Sequence, residues 1–250
     1  EDVRTRFQRL FNSTNDALFV VGPSGDEITE CNPAACDLLG YQREELLSVS
    51  ISDVVHADDR QRFQSLLQEV QVAEQGSTDG ITCQTKDGEK RQLEVSAATL
   101  EESEQSPMIL SVRDITERKA YERELELKSQ AMEEAPVGIS ISDPDREDNP
   151  MVYVNKGFEE LTGYSRAESV GRNCRFLQGE ATREEPVAEM RKAIDRAEPV
   201  SVELRNYRKD GSQFWNRVSI APVRDDTGTV RNWVGFQEDI SERKEREQDL

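Results

Sequence analysis

The chain has 250 residues, room for one large domain or two of ordinary size, and 33% of them are charged. Its formal net charge of -19 excludes direct nucleic-acid binding, because phosphate contacts need clustered Lys and Arg, and it disfavours an anionic membrane surface. No apolar run approaches the ~20 residues of a spanning helix and no basic-then-apolar leader opens the chain, so a cytoplasmic protein with no membrane segment is expected. The four cysteines, Cys31, Cys36, Cys83 and Cys174, form no Cys-x-x-Cys pair and only one His is present, which argues against a metal site and for a reducing compartment. The acidic excess is spread along the chain and fits either a halophilic source or an ordinary acidic regulator. The chain opens on Glu1 and stops at Leu250 within a charged helical stretch, which leaves open whether it is a fragment of a longer protein.

In chain order, a short apolar strand at Ala17–Val21 is followed by another at Ile28–Cys31, by short helices across positions 32–41, and by a longer helix at Arg60–Ala73. Alternating strands lead to Asp114, and a charged helix then covers 115–132, with Tyr121, Leu125 and Met132 near heptad spacing. That helix reads either as a solvated linker or as one strand of a coiled coil, since its apolar seam is thin. The order then recurs: strands at Gly138–Ser142 and Met151–Val154, short helices, a helix at 184–197, and strands at 201–208, 213–223 and 230–238, before a second charged helix over 241–250. The turns between the last strands, Lys209-Asp210-Gly211 and Asp225-Asp226-Thr227-Gly228, supply Gly where a positive φ is needed.

The recurrence is visible in the residues themselves. Asn32-Pro-Ala-Ala-Cys-Asp-Leu-Leu-Gly-Tyr41 lines up with Asn155-Lys-Gly-Phe-Glu-Glu-Leu-Thr-Gly-Tyr164, and Lys86-Asp87-Gly88 lines up with Lys209-Asp210-Gly211 at the same 123-residue offset. Asp114-Ile115-Thr116-Glu117-Arg118-Lys119 matches Asp239-Ile240-Ser241-Glu242-Arg243-Lys244 at an offset of 125. Landmarks in one order with so small a drift mean two copies of one fold. Sequential antiparallel strands with helices gathered between them read as α+β.

The arrangement resembles the PAS superfamily. The resemblance implies two five-stranded antiparallel sheets with helices on one face, each cupping a ligand or an empty core. Expected limits are 1–116 for a first PAS domain, 117–134 for a linker helix, 135–240 for a second domain and 241–250 for the start of a signalling helix. The second copy is more specific. Gly171-Arg172-Asn173-Cys174-Arg175-Phe176-Leu177-Gln178-Gly179 resembles the signature of LOV (light-oxygen-voltage) domains, as in phototropins and bacterial blue-light receptors, and Asn206-Tyr207, Phe214-Trp215-Asn216 and Gly235-Phe236-Gln237 match further along.

That resemblance implies bound flavin mononucleotide (FMN), and the residue types suit it. Amide side chains both donate and accept, as the polar edge of a flat isoalloxazine ring requires, and forked guanidinium groups suit a phosphate. Asn206 and Asn216 are expected on the pyrimidine edge, Gln237 at ring nitrogen N5, Asn173 and Gln178 along the ribityl chain, and Arg175 and Arg191 on the phosphate. Cys174 is expected to form a reversible, light-driven bond to flavin carbon C4a. N5 then gains a proton, and the Gln237 amide turns to stay paired, because an unpaired buried polar group costs ~1–3 kcal/mol. Asp239 follows on the same strand and passes the change to the terminal helix. Ser140 and Gly138 depart from the family pattern, which usually has a bulky apolar residue and often Asn at these positions.

The first copy is expected to bind no flavin. By the same offsets Cys174 corresponds to Ile51, Asn206 to Cys83, Asn216 to Leu93, Gln237 to Val112, Arg175 to Ser52 and Arg191 to Gln68. The single histidine, His56, sits in a segment that resembles a common loop before a PAS helix and is not expected to ligate haem. No ATP-binding Gly-rich motif is present, so the expected role is a photosensory module, dimeric through its PAS surfaces and helices, and not an enzyme. The rival readings are a PAS–PAS dimerisation module and a flavin redox sensor without photochemistry.

Overall fold

The computed structural model describes residues 3–100 and 106–248. The chain divides into two compact units between Glu124 and Leu125. The first unit opens with helix α1 (Val3–Ser13), then β1 (Ala17–Val21) and β2 (Ile28–Cys31). Helices α2 (Pro33–Leu39), α3 (Arg43–Leu46), α4 (Ile51–Val54) and α5 (Arg60–Ala73) follow. Strands β3 (Gln75–Gln84), β4 (Lys90–Thr99) and β5 (Met108–Asp114) complete an antiparallel sheet of order β2-β1-β5-β4-β3. Helix α6 (Thr116–Glu133) carries the chain into the second unit. There β6 (Gly138–Ser142), β7 (Met151–Val154), α7 (Lys156–Thr162), α8 (Arg166–Ser169), α9 (Glu184–Asp195), β8 (Val200–Tyr207), β9 (Gln213–Arg224) and β10 (Val230–Asp239) give the same order, β7-β6-β10-β9-β8, before α10 (Ser241–Gln248). Two five-stranded antiparallel sheets with interposed helices are the expected α+β fold.

The repeated residues explain why both copies close alike. Asn32 and Asn155 are fully buried N-caps whose side chains accept from the backbone of Ala35 and Phe158. Each also reaches back into β1 or β6, accepting from Leu18 N at 2.9 Å or Ile139 N at 2.7 Å. The helices end on Gly40 and Gly163, both left-handed, where a side chain would be strained. Lys86 pairs with Glu45 at 2.7 Å and Lys209 with Glu168 at 2.6 Å, tying each Lys-Asp-Gly turn to the short helix beside it. At both strand-to-helix junctions a carboxylate caps the helix: Asp114 accepts from Thr116 N, and Asp239 from Ser241 N, each at 2.9 Å.

The elements depart from expectation mainly at their ends. Helix α9 stops at Asp195, not at 197, because Ala197 turns left-handed with φ of 54°. The last strands of the second copy begin or end a residue away from expectation, where hydrogen bonding fades rather than where the pattern stops. Residues 249 and 250 of the expected terminal helix lie outside the described residues. Helix α1 was not anticipated, although Phe7 and Phe11 stand at helical spacing and stack at 5.6 Å. Helix α6 buries none of its residues: Tyr121 and Leu125 of its thin seam are exposed, and Met132 is half-buried.

Inside, the two units differ. In the first, one continuous apolar cluster runs from Ala17 to Val112. In the second, the core is split into a group around Met151, Phe158 and Leu177 and another around Met190, Val202, Leu204 and Val218.

Candidate functional site

The alternation of the strands decides which side chains face this divided core. Along β8 the inward positions are Val202, Leu204 and Asn206; along β9, Phe214, Asn216 and Val218; along β10, Trp233, Gly235 and Gln237. Three amides thus occupy positions that a two-residue period would fill with apolar groups, and all three are at most 3% exposed. Between the two apolar groups lies a cavity of about 310 Å³, reached by Met151 and Cys174 from one side and by Met190, Leu204 and Val218 from the other. The corresponding space in the first unit is about 20 Å³ and is filled by Ile51, Cys83, Leu93 and Val112 among others.

Seven of the eight binding and reactive residues expected from the sequence line the larger cavity: Asn173, Cys174, Arg175, Gln178, Arg191, Asn206 and Gln237. Asn216 stands one layer behind, fully buried, and donates to Asn206 Oδ1 at 2.9 Å, while Asn206 donates to the carbonyl of Leu177 at 3.1 Å. Asp239 lies outside the cavity at the head of α10, where Arg208 pairs with it at 2.6 Å. Burial works to raise its pKa, but hydrogen bonds from Ser241 and Arg208 prevail and hold it below the ordinary carboxylate range.

Two amide oxygens beside the cavity have no partner: Gln237 Oε1 and Asn216 Oδ1. A buried carbonyl left unpaired costs ~1–3 kcal/mol, so these atoms suit a ligand that brings donors to them. The other end of Gln237 is engaged, its Nε2 donating to Ser140 Oγ at 3.1 Å and standing 4.0 Å from Cys174 Sγ. Cys174 begins a 3-10 turn, Cys174–Leu177, that Asn173 caps by accepting from Arg175 N at 3.0 Å. Its sulfur is enclosed by protein on most sides and open towards the cavity, so the residue is only half-buried by area while burial pushes its thiol up to about 12. At neutral pH it is a thiol and not a thiolate.

The mouth is polar. Arg175 and Arg191 are both exposed there; Arg175 is ion-paired with Asp148, whereas Arg191, among the described residues, has no ion pair. Asn149, not anticipated from the sequence, also lines the cavity with a buried, unpartnered Oδ1. It sits in a left-handed pair, Asp148 and Asn149, held by Asn173 Nδ2, which donates to both backbone oxygens at 2.6 and 3.3 Å. The Asp148-Asn149-Pro150 string is a turn signal, but nothing local says that the turn bends into the cavity. His56 lies outside the small cavity of the first unit and caps a short 3-10 segment through Nδ1, which accepts from Asp58 N at 3.4 Å.

A model of the PAS fold matches residues 5–115, and a model of the PAS domain matches residues 136–242. The bacterioopsin transcriptional activator of Halobacterium salinarum is 49% identical over 148 residues, covering 59% of this chain and 21% of that protein. A blue-light photoreceptor of Listeria monocytogenes is 45% identical over 111 residues, 44% of each chain. Blue-light-activated histidine kinase 1 of Erythrobacter litoralis is 49% identical over 106 residues, 42% of this chain and 29% of the kinase. The chain therefore spans less than half the length of each of these relatives. With two matching sheets, two matching family models and relatives of this kind, the chain is a tandem of two PAS domains, the second of which is a LOV domain.

Proposed function

We propose that the second domain is a blue-light sensor that holds FMN in its cavity and reports illumination through β10 to α10. The observation that carries this reading is the meeting of a protonated thiol, Cys174, with the half-paired amide of Gln237 at the wall of a cavity of about 310 Å³ whose counterpart in the first domain is about 20 Å³. Relatives named as blue-light photoreceptors and blue-light-activated kinases support light as the input.

The residues fit the flavin. Its ring has two apolar faces, which the Met190, Leu204 and Val218 wall suits, and one polar edge, for which Asn206, Asn216 and Gln237 provide free or shareable amide atoms. Its ribityl hydroxyls suit Asn173, Gln178 and the unpartnered Oδ1 of Asn149. Its phosphate suits the mouth, where Arg191 is unpaired among the described residues and Arg175 can share its guanidinium with Asp148. When bound, the flavin would supply absorption of blue light and a ring able to take up the Cys174 thiol, sulfur and proton together, reversibly.

The protein does the rest. Cys174 brings sulfur and proton together because burial keeps it protonated. Gln237 can answer a proton gained beside it by presenting its unpartnered oxygen instead of its nitrogen. It lies two residues before Asp239, which caps α10, so a change in its pairing has a short path to that helix. The working limits are 1–116 and 135–240 for the two domains, with helical segments 117–134 and 241–250 flanking the sensor. Exposed Tyr121 and Leu125, one turn apart on α6, are the side chains through which a second copy would pair. The module senses and does not turn over substrate. Absorption spectra of the purified protein before and after blue light test the reading. A yellow protein that bleaches and recovers in the dark is expected, and one that is colourless or unchanged by light would overturn it.

A further inference from the structure

Gln237 has unusual freedom on its strand. It faces Gly138 across the β6–β10 pairing, and Gly235, two residues earlier on its own strand, faces Ser140. A Cβ on Gly138 would stand 3.2 Å from Gln237 Oε1, and one on Gly235 would stand 3.2 Å from Gln237 Nε2 and 2.8 Å from Ser140 Oγ. Both ends of the carboxamide therefore have clearance that any larger residue would take away. Between these two glycines Ser140 supplies the one protein oxygen that Gln237 Nε2 uses, at 3.1 Å, and it is itself only 6% exposed.

A hydroxyl is both donor and acceptor. With the amide nitrogen towards it, Ser140 accepts, as it does here. With the amide oxygen towards it, Ser140 can turn its own proton and donate. An apolar side chain at this position could do neither, and the amide would have to release its last partner in order to turn. We propose that Ser140 is a positioning residue that keeps the Gln237 carboxamide hydrogen-bonded through its rotation and so sets how fast the sensor resets in the dark. The proposal deepens the reading of Gln237 as the relay and rests on it.

The test separates hydroxyl from bulk. Ser140→Thr keeps the hydroxyl and adds a methyl group, Ser140→Val adds the same bulk without the hydroxyl, and Ser140→Ala removes the hydroxyl without adding bulk. Two readouts are taken on the flavin-loaded protein: solvent exchange of the Gln237 side-chain amide protons in the dark, by NMR, and the rate at which bleached absorbance recovers. The wild type and Ser140→Thr should show the slower amide exchange and the faster recovery. Ser140→Ala and Ser140→Val should exchange faster and recover about two- to tenfold more slowly, the worth of one hydrogen bond kept at the barrier. If Ser140→Thr instead behaves like Ser140→Val, bulk or water access governs the site and the proposal falls; it falls equally if all four proteins agree. A wild type that does not bleach would sink the photochemical reading, and the dark amide exchange would still decide the role of Ser140.

Discussion

Replacing Gln237 with Leu should strengthen the ligand-free fold while it disconnects the sensor. Gln237 is 2% exposed, with one hydrogen bond from Nε2 to Ser140 and an Oε1 that has none. Leu removes the unpaired oxygen, a gain of ~1–3 kcal/mol, and loses the one bond, a loss of ~0.5–1.5 kcal/mol, with Ser140 left free to turn its hydroxyl elsewhere. The net is a ligand-free domain more stable by up to roughly 2 kcal/mol, readable as a higher denaturant midpoint at unchanged slope. Flavin affinity should move the other way, weakening about two- to tenfold for the loss of one hydrogen bond to the ring. Cys174 is untouched, so bleaching should survive. Light-minus-dark hydrogen exchange over Ser241–Gln248 should shrink towards zero, because β10 no longer feels what happens beside it. A ligand-free variant that is clearly less stable than wild type would show that the amide serves the fold and is not reserved for a ligand. An undiminished light response in α10 would show that the signal leaves elsewhere, for instance where Asn155, the N-cap of α7, donates to the Met132 carbonyl of α6 at 2.9 Å.

Cys174→Ala should retain flavin, since the amides and arginines remain, and lose reversible bleaching; bleaching and recovery that persist would end the assignment of the thiol. Flavin content should approach one per chain, because the first domain offers about 20 Å³ against about 310 Å³; a ratio near two would refute the comparison of the two interiors. Glu203 is hydrogen-bonded by Lys244 at 2.7 Å and by Arg243, which together hold its carboxyl down at about 2 and pin α10 to the sheet. A carboxylate depressed in the folded state stabilises above its ordinary value of about 4.5 and stops doing so as pH falls to about 2, so amide protection in α10 should be full at pH 7 and disappear across that window. In Glu203→Gln the protection should already be reduced at pH 7 and its dependence on pH in that window lost; a wild-type pH profile in the variant would assign the effect to another carboxylate.

Much of this was legible because the sequence repeats. A repeat supplies its own control: where the first copy holds Cys83, Leu93 and Val112, the second holds Asn206, Asn216 and Gln237, at inward positions of the same strands. Strand alternation makes such substitutions readable, since an amide at an inward position must have a reason. Asn149 and Ser140 were not legible as partners. Asn149 reaches the cavity only because Asn173, distant in sequence, holds its turn, and Ser140 meets Gln237 across 97 positions by way of the β6–β10 register. Helix α1 was missed because it is short and polar, with one apolar side chain, Phe11, fully engaged.

The contrast between the two domains also shows how little must change to turn a filled PAS core into a receptor. Cores close-pack, so an interior of about 310 Å³ persists only if its walls cannot collapse on each other. Here the polar groups resist collapse. Asn206 is held by Leu177 and by Asn216, and Gln237 is held by Ser140, so neither side chain can swing aside to let the walls meet without giving up hydrogen bonds at ~0.5–1.5 kcal/mol each. The first domain carries Ile51, Cys83, Leu93 and Val112 at the same places, has no such penalty, and closes to about 20 Å³. The amides are therefore held in place by their hydrogen bonds, and in that position they keep the cavity open. A double exchange, Asn216→Leu with Gln237→Val, should shift the second domain towards the first, shrinking the cavity and abolishing flavin binding while the fold persists. Retention of flavin by that variant would mean that the walls, and not the amides, make the site.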